Sequence, residues 1–181
     1  MASLLPVRLK VRIKDVKGNG ISGMSVSFSG AGVGGTLSTP SATTDSSGYA
    51  STSYTTGTKS GVVSITASAA GLSSVFKETV LAGPPSSPSI YSGNMQKVKA
   101  GFPTSKLLQV NVADQYGNPV PGISVNFDDR GAGGSFSSNP VVTNTAGIAG
   151  ARYTAPLTPG AITVTASVPG AGSVAFAIKV N

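Results

Sequence analysis

The amino-acid sequence predicts an all-β protein made of two tandem antiparallel β-sandwiches, and three observations carry this prediction. First, the stretch Asp15–Phe28 (DVKGNGISGMSVSF) recurs 99 positions later as Asp114–Phe127 (DQYGNPVPGISVNF). Second, apolar and polar residues alternate with period two, as in VRLKVRIK at residues 7–14, which is typical of half-buried strands. Third, turn segments such as YGNP, GAGG and LTPG separate these stretches at short intervals, and about seven short strands per hundred residues indicate a sandwich.

The repeat also predicts the domain organisation. A repeating unit of nearly 100 residues is long enough to be a complete domain, so each copy is expected to fold alone. We assign residues 1–81 to the first domain and residues 89–181 to the second. The segment 82–88 (AGPPSSP) is predicted to be a Pro/Ser-rich linker, because proline fixes φ and lacks the amide donor that strand pairing needs. Such a linker is semi-rigid and favours an extended rod.

The first domain is predicted to lack its leading strand. In the second copy, SIYSGN from Ser89 and then MQKVKAGFPTSK precede the strand LLQVNVAD, and the same element of the first copy would lie before Met1. The MASLL segment is too close to VRLKV to cross between sheets. A sandwich without this strand exposes unpaired backbone groups. Either a strand from a neighbouring subunit fills the gap by β-strand addition, or the missing strand lies upstream in a longer chain.

The recurring turn is predicted to determine the fold rather than to bind a ligand. In each copy an aspartate ends a strand, and its short carboxylate accepts amide hydrogens from the turn that follows. A glycine and an asparagine, which tolerate positive φ, come next. These residues are Asp15, Gly18 and Asn19 in the first copy and Asp114, Gly117 and Asn118 in the second.

The composition argues against an enzyme. The chain has no Cys and no His, so it lacks thiolate nucleophiles, disulfides, the commonest general base at neutral pH and the commonest metal ligand. The Gly-rich segments GAGVGG and GAGG are not followed by Lys-Ser/Thr or by a helix, so they do not match a phosphate-binding loop. We therefore expect no catalytic residues and no cofactor.

Four cations alternate with apolar residues near the start of the chain and are the main candidate for a binding surface. Arg8, Lys10, Arg12 and Lys14 should share one face of one strand. The equivalent positions of the second copy carry no charge, so the fold does not need these cations. One interpretation is a surface for a polyanion, a glycan or a protein partner. The sequence alone favours the other interpretation, a solvated face whose charges discourage edge-to-edge pairing.

The other partner classes have less support. Asp114, Asp128 and Asp129 are the only acidic cluster and the only metal candidates, and we favour solvated loop charges over a metal site. Nucleic acid is not expected. Stacking platforms need exposed aromatic residues beside the cations, whereas most Tyr and Phe residues of this chain fall at core-like positions of the alternating strands. No apolar run approaches the roughly 20 residues that span a bilayer, so no membrane insertion is expected.

Several quoted segments together resemble the group 1 bacterial immunoglobulin-like domain, the family of intimin- and invasin-type tandem modules. In the second copy they are VNVADQYGNPVPGISVNF, GGSF, VVTNTAGIAGARYTA and PGAITVTASV. In the first copy they are VRIKDVKGNGISGMSVSF, GGTL, TTDSSGYASTSYTTG and GVVSITAS. The first copy departs from the pattern with Gly20 and Ser22, where the second has Pro119 and Pro121, so its turn is less rigid.

The resemblance implies an immunoglobulin-like (Ig-like) sandwich at the cell surface or outside the cell, used in adhesion or as a rod-like spacer. Protein partners or identical subunits are the expected binding partners. Such modules also occur on phage particles and in bacterial appendages. The alternative is therefore a structural subunit of a filament, appendage or virion, completed by strand exchange between subunits.

Overall fold

The computed structural model describes residues 8–181, and for Ala31 only the backbone. All regular structure in this range is β-strand, which confirms the predicted all-β class. The chain divides into two compact units, Met1–Leu81 and Ala82–Asn181, which we call unit 1 and unit 2. The MASLL segment lies outside the described residues.

Unit 1 is built from short antiparallel strands. They are β1 (Leu9–Arg12), β2 (Ser25–Gly32), β3 (Gly35–Leu37), β4 (Ser41–Thr43), β5 (Tyr49–Thr52), β6 (Tyr54–Thr56), β7 (Gly61–Ala69) and β8 (Leu72–Val80). One sheet has the order β4-β2-β7-β8, and the remaining strands pair as β1-β5 and β3-β6. The predicted period-two pattern produces this arrangement, because alternate residues of β7 are buried from Val63 to Ala69.

The core of unit 1 consists of two clusters of buried apolar side chains. The first contains Val26 and Phe28 of β2, with alanines of β5 and β7. The second contains Leu9, Tyr54 and residues of β7. Val11 and Ile13 pack against the first cluster but remain half-buried.

Unit 2 has the same arrangement as the described part of unit 1, with two additional strands at its start. Its strands are β9 (Ser87–Ser92), β10 (Gln96–Val98), β11 (Leu108–Ala113), β12 (Ser124–Asp128), β13 (Ser135–Phe136), β14 (Val141–Val142), β15 (Ile148–Ala151), β16 (Tyr153–Thr154), β17 (Gly160–Val168) and β18 (Gly172–Val180). The sheet orders are β10-β18-β17-β12-β14 and β15-β11-β9, with a separate β13-β16 pair. One continuous core cluster fills the unit.

The leading element of unit 2 crosses from one sheet to the other, and this produces a parallel pair that the antiparallel prediction did not include. β9 pairs antiparallel with β11, whereas β10 pairs parallel with β18. The crossing occurs at Gly93, which has φ 87°, and a Cβ there would overlap the carbonyl of Leu107. Because the chain changes sheets without reversing direction, β10 runs alongside β18 in the same sense.

The start of β9 lies within the segment 82–88, which the sequence predicts to be a linker. Ser87 and Pro88 belong to β9, and Pro88 is buried. Upstream of them, the Gly83 amide donates to the Asp114 carboxylate at 2.8 Å, and the Ser86 amide donates to the Ala113 carbonyl at 3.0 Å. A proline is tolerated here because β9 is the edge strand of its sheet, so one side of it needs no donors.

We expect residues 82–181 to fold as an isolated fragment. Their core cluster contains only residues of unit 2, and the fragment keeps the contacts of Gly83 and Ser86. Far-UV circular dichroism during urea unfolding should record a single cooperative transition. A fragment that is unfolded in buffer in which the full chain is folded would contradict the independence of unit 2.

Candidate functional site

Four cations form one surface on the outer side of β1. Arg8, Lys10, Arg12 and Lys14, which we call the β1 cation row, are all exposed. Leu9 between them is buried, which places the cations on the side of the strand that faces solvent. The residues predicted from the sequence therefore lie together in the structure.

Tyr49 of β5 lies against the two central cations. It is the register partner of Arg12 across the β1-β5 pair. The Lys10 Nζ atom is 3.8 Å from the centroid of the Tyr49 ring, and the Arg12 Cζ atom is 5.3 Å from it. The Arg12 Nε–H also donates to the Ser47 carbonyl at 3.0 Å. These contacts orient the middle of the row through cation–π attraction.

Sequence reasoning missed Tyr49, because only the strand register places it beside the row. The position equivalent to Tyr49 in unit 2 is Ile148, and those equivalent to Lys10 and Arg12 are Gln109 and Asn111. The combination of cations and an aromatic ring is therefore specific to unit 1. A sequence signal did exist, since an aromatic residue directly follows the turn TDSSG.

The turn before Tyr49 is held by Asp45. The Asp45 carboxylate accepts hydrogen bonds from the amides of Ser47, at 2.8 Å, and Tyr49, at 2.9 Å. The Tyr49 hydrogen bond is the main reason that the pKa of Asp45 is lowered, and it outweighs the loss of solvation, which raises the pKa. The charges of Lys10 and Arg12 lower the pKa further by smaller amounts. Asp45 thus remains ionised near neutral pH and fixes the backbone that presents the ring.

An open groove lies beside β1. Among residues 8–181, β5 is the only strand paired with β1, so the opposite edge of β1 carries no strand. The groove has a volume of about 310 Å³ and is lined by Val11–Lys14, Ala67–Ala69, Leu72–Ser74 and Val26. Its lining combines apolar residues in or against the core, such as Val11, Ile13 and Val26, with three serines. Of the cation row, Arg12 and Lys14 belong to this lining.

The two recurring turns have the hydrogen bonds expected of fold determinants. The Asp15 carboxylate accepts hydrogen bonds from the Lys17 amide at 2.9 Å and from the Asn19 amide at 2.8 Å, and the Asn19 side chain adds a third at 3.0 Å. Gly18 has φ 89°. The side-chain hydrogen bond from Asn19 is the largest cause that lowers the pKa of Asp15.

The equivalent turn of unit 2 is more deeply buried. The Asp114 carboxylate accepts hydrogen bonds from the Tyr116 amide, from the Asn118 amide and side chain, and from the Gly83 amide, all at 2.8–2.9 Å. Gly117 has φ 78°. Burial alone would raise the pKa of Asp114, but the hydrogen bonds led by Asn118 and Gly83 outweigh it, and the pKa is well below its usual range.

The three aspartates proposed as metal candidates have separate structural roles. Asp114 holds its turn, and Asp128 accepts a hydrogen bond from the Arg130 amide at 2.8 Å. Asp129 accepts hydrogen bonds from the Tyr153 hydroxyl at 2.9 Å and from the Gly134 amide at 2.7 Å. In the described part of the chain, no group of three or more acidic side chains is placed to hold a metal ion. That part also contains no helix that could span a membrane.

Comparison with known proteins gives one family and several solved structures. The model of the bacterial Ig-like domain (group 1) matches residues 6–81 and 96–180. InvD of Yersinia pseudotuberculosis aligns with a TM-score of 0.72 at 18% identity, over 95% of this chain and 51% of that one. FdeC, an Escherichia coli adhesin, aligns with a TM-score of 0.52 at 26% identity, over 96% of this chain and 59% of that one. The chain therefore spans little more than half the length of these two proteins.

Proposed function

The chain belongs to the bacterial Ig-like domain (group 1) family, a family of non-enzymatic structural modules, and on this premise we propose that it acts in adhesion at the cell surface. The observation that carries the proposal is the likeness to FdeC, an Escherichia coli adhesin, along almost the whole chain. In this role unit 1 presents the adhesive surface, and unit 2 is the supporting domain.

The β1 cation row and Tyr49 support this division of roles. They combine exposed positive charge with an aromatic ring on one face, and the equivalent face of unit 2 has neither. Arginine and aromatic side chains are enriched where proteins bind one another. The net charge of +7 would favour encounter with the anionic surfaces of cells.

The adhesion proposal is tested with beads that carry the full chain. We expect coated beads to adhere to epithelial cells more strongly than albumin-coated beads do. A variant with Arg8, Lys10, Arg12 and Lys14 all replaced by Gln should adhere less, because it lacks the charges of the row. The same variant should elute from a heparin column at lower salt, since exposed charges act through screened attraction.

The control for this variant is its stability. Exposed charges contribute little to folding, so the four replacements should change the free energy of unfolding by about 1 kcal/mol or less. If beads with the original chain adhere no better than albumin-coated beads, the adhesive role is wrong. In that case the role that remains for the chain is that of a rod-like spacer. Small-angle X-ray scattering would test it, and a maximum dimension no longer than that of one domain would exclude it.

A further inference from the structure

The leading element of unit 2 shows what closes one side of this fold. In β9, Ser87, Pro88, Ser89 and Ile90 lie opposite Ala113, Val112, Asn111 and Val110 of β11, and Pro88 is buried. β10 then covers the edge of β18 and buries Val98. With both strands in place, Val110 and Val112 have no exposed surface.

The described part of unit 1 has no strand in either place, and its side chains are correspondingly less buried. Val11 and Ile13, the equivalents of Val110 and Val112, are half-buried. At the start of β8, Leu72 is 71% exposed at the position where unit 2 has Gly172, so unit 1 has an additional apolar side chain there. Val11, Ile13 and Leu72 all line the open groove.

The groove occupies the position that β9 occupies in unit 2. Val11–Lys14 line it, and their equivalents Val110–Ala113 are the residues of β11 that pair with β9. Its opposite wall is the β7–β8 hairpin, and in unit 2 β9 lies against the equivalent strands, β17 and β18. An extended strand therefore fits this groove, because the same fold holds one there in unit 2.

The free edge of β1 offers main-chain hydrogen bonds to such a strand. The Ile13 amide donates to the Gly48 carbonyl on the β5 side at 2.8 Å. Backbone groups of successive strand residues point to opposite edges, so the amides and carbonyls of Lys10 and Arg12 face the free edge. Strand addition uses backbone groups of this kind for affinity and alternate side chains for specificity.

The charges around the groove identify the chemistry of the strand. Side chains on the outer face of an added strand would lie beside the β1 cation row, where opposite charges stabilise the pairing and like charges destabilise it. A second copy of the chain is disfavoured as the donor by its net charge of +7. The edge of β8 differs from the edge of its equivalent β18, because Glu78 lies at the position where unit 2 has the buried Ile178.

We propose that unit 1 accepts an extended strand of a partner protein along the free edge of β1, with small apolar residues facing the groove and carboxylates facing the cation row. This inference rests on the proposed function, since it names the kind of partner that the adhesive surface of unit 1 binds. By analogy with β9, the carboxylates lie opposite Arg12 and Lys14, at the positions of Ser89 and Ser87.

The test uses the full chain and synthetic peptides based on residues 86–92. The acidic peptide carries Ser87→Glu and Ser89→Glu, and the matched control carries Ser87→Lys and Ser89→Lys. We expect the acidic peptide to bind at least about tenfold more tightly than the control in fluorescence titrations. Amide hydrogen exchange should slow at Lys10 and Arg12, while Val11 and Ile13, which already face β5, stay unchanged.

Two further controls separate strand addition from simple attraction between charges. Pro88 has no amide, so alternate residues such as Ser89 supply the pairing donors, and N-methylation of the glutamate at position 89 should abolish binding without changing the charge. Leu72→Glu, in the groove wall, should weaken binding. Leu81→Glu makes the same change at an 81% exposed site that is not among the groove-lining residues. This control variant should bind the peptide as the original chain does.

Several results would overturn the proposal. Equal binding of the N-methylated peptide, with displacement by heparin, would mean a polyanion surface. Peptide-independent protection of the Lys10 and Arg12 amides would mean that another segment of the chain or a second copy already covers the edge. Failure of the acidic peptide to bind at about 1 mM would also overturn it. If coated beads still adhere to cells in these cases, the proposed function stands without this inference.

Discussion

Phe176→Ala is expected to lower the free energy of unfolding of unit 2 by about 4 kcal/mol, because removing a buried phenylalanine leaves a cavity in a closed core. Phe176 has no exposed surface and is paired in register with Val164. Its counterpart Phe76 is paired in the same way with Ile65 but is only half-buried. Phe76→Ala should therefore lower the stability of unit 1 by about half as much, since solvent already reaches the site.

The comparison is made in the full chain, with urea unfolding followed through amide NMR signals assigned to each unit. The two substitutions are chemically identical and act as controls for each other, so the difference between them measures how completely each core is closed. A loss from Phe76→Ala as large as that from Phe176→Ala would mean that the inner face of β8 is fully covered in solution. Adding the acidic peptide should leave the Phe76 result nearly unchanged, because the proposed strand follows β1.

The sequence predicted the all-β class and the position of the leading element of unit 2, because both depend on local patterns. Alternation in VRLKVRIK and the spacing of the turns require no knowledge of distant contacts. The burial of equivalent residues could not be predicted in the same way. Val11 and Val110 are the same residue in the same motif, and their exposure differs because a separate strand covers only one of them.

Part of the difference in burial between the two units is encoded in the sequence, but only the strand register shows where. The repeat holds at an offset of 99 up to Gly71, and one extra residue in the turn of unit 2 then shifts the offset to 100. With this shift, Glu78 aligns with Ile178. A carboxylate at an inward position is incompatible with a sealed core. The same dependence on register explains why Tyr49 was not recognised beside the predicted cation row.

Asp114→Asn is expected to destabilise unit 2 by about 2 kcal/mol. The carboxylate accepts four hydrogen bonds, whereas the NH2 group of an asparagine would place its own donor hydrogens against the donors of the turn. Asp114 is only 4% exposed, so water cannot replace the lost acceptor. Asp15→Asn is the matched control in unit 1. Its turn has the same form, but Asp15 is exposed, and within residues 8–181 it has no counterpart of the Gly83 hydrogen bond, so we expect a smaller loss.

The lowered pKa of Asp114 predicts how the stability of unit 2 depends on pH. The pKa of Asp114 is lower in the folded state than in the unfolded chain, where it is about 3.9. Its stabilising contribution is therefore fully present well above pH 4 and is lost as the pH falls below that value toward the folded-state pKa. The free energy of unfolding of unit 2, measured with urea between pH 2 and 7, should fall more steeply toward acid pH in the original chain than in Asp114→Asn. Identical slopes would contradict the role assigned to Asp114.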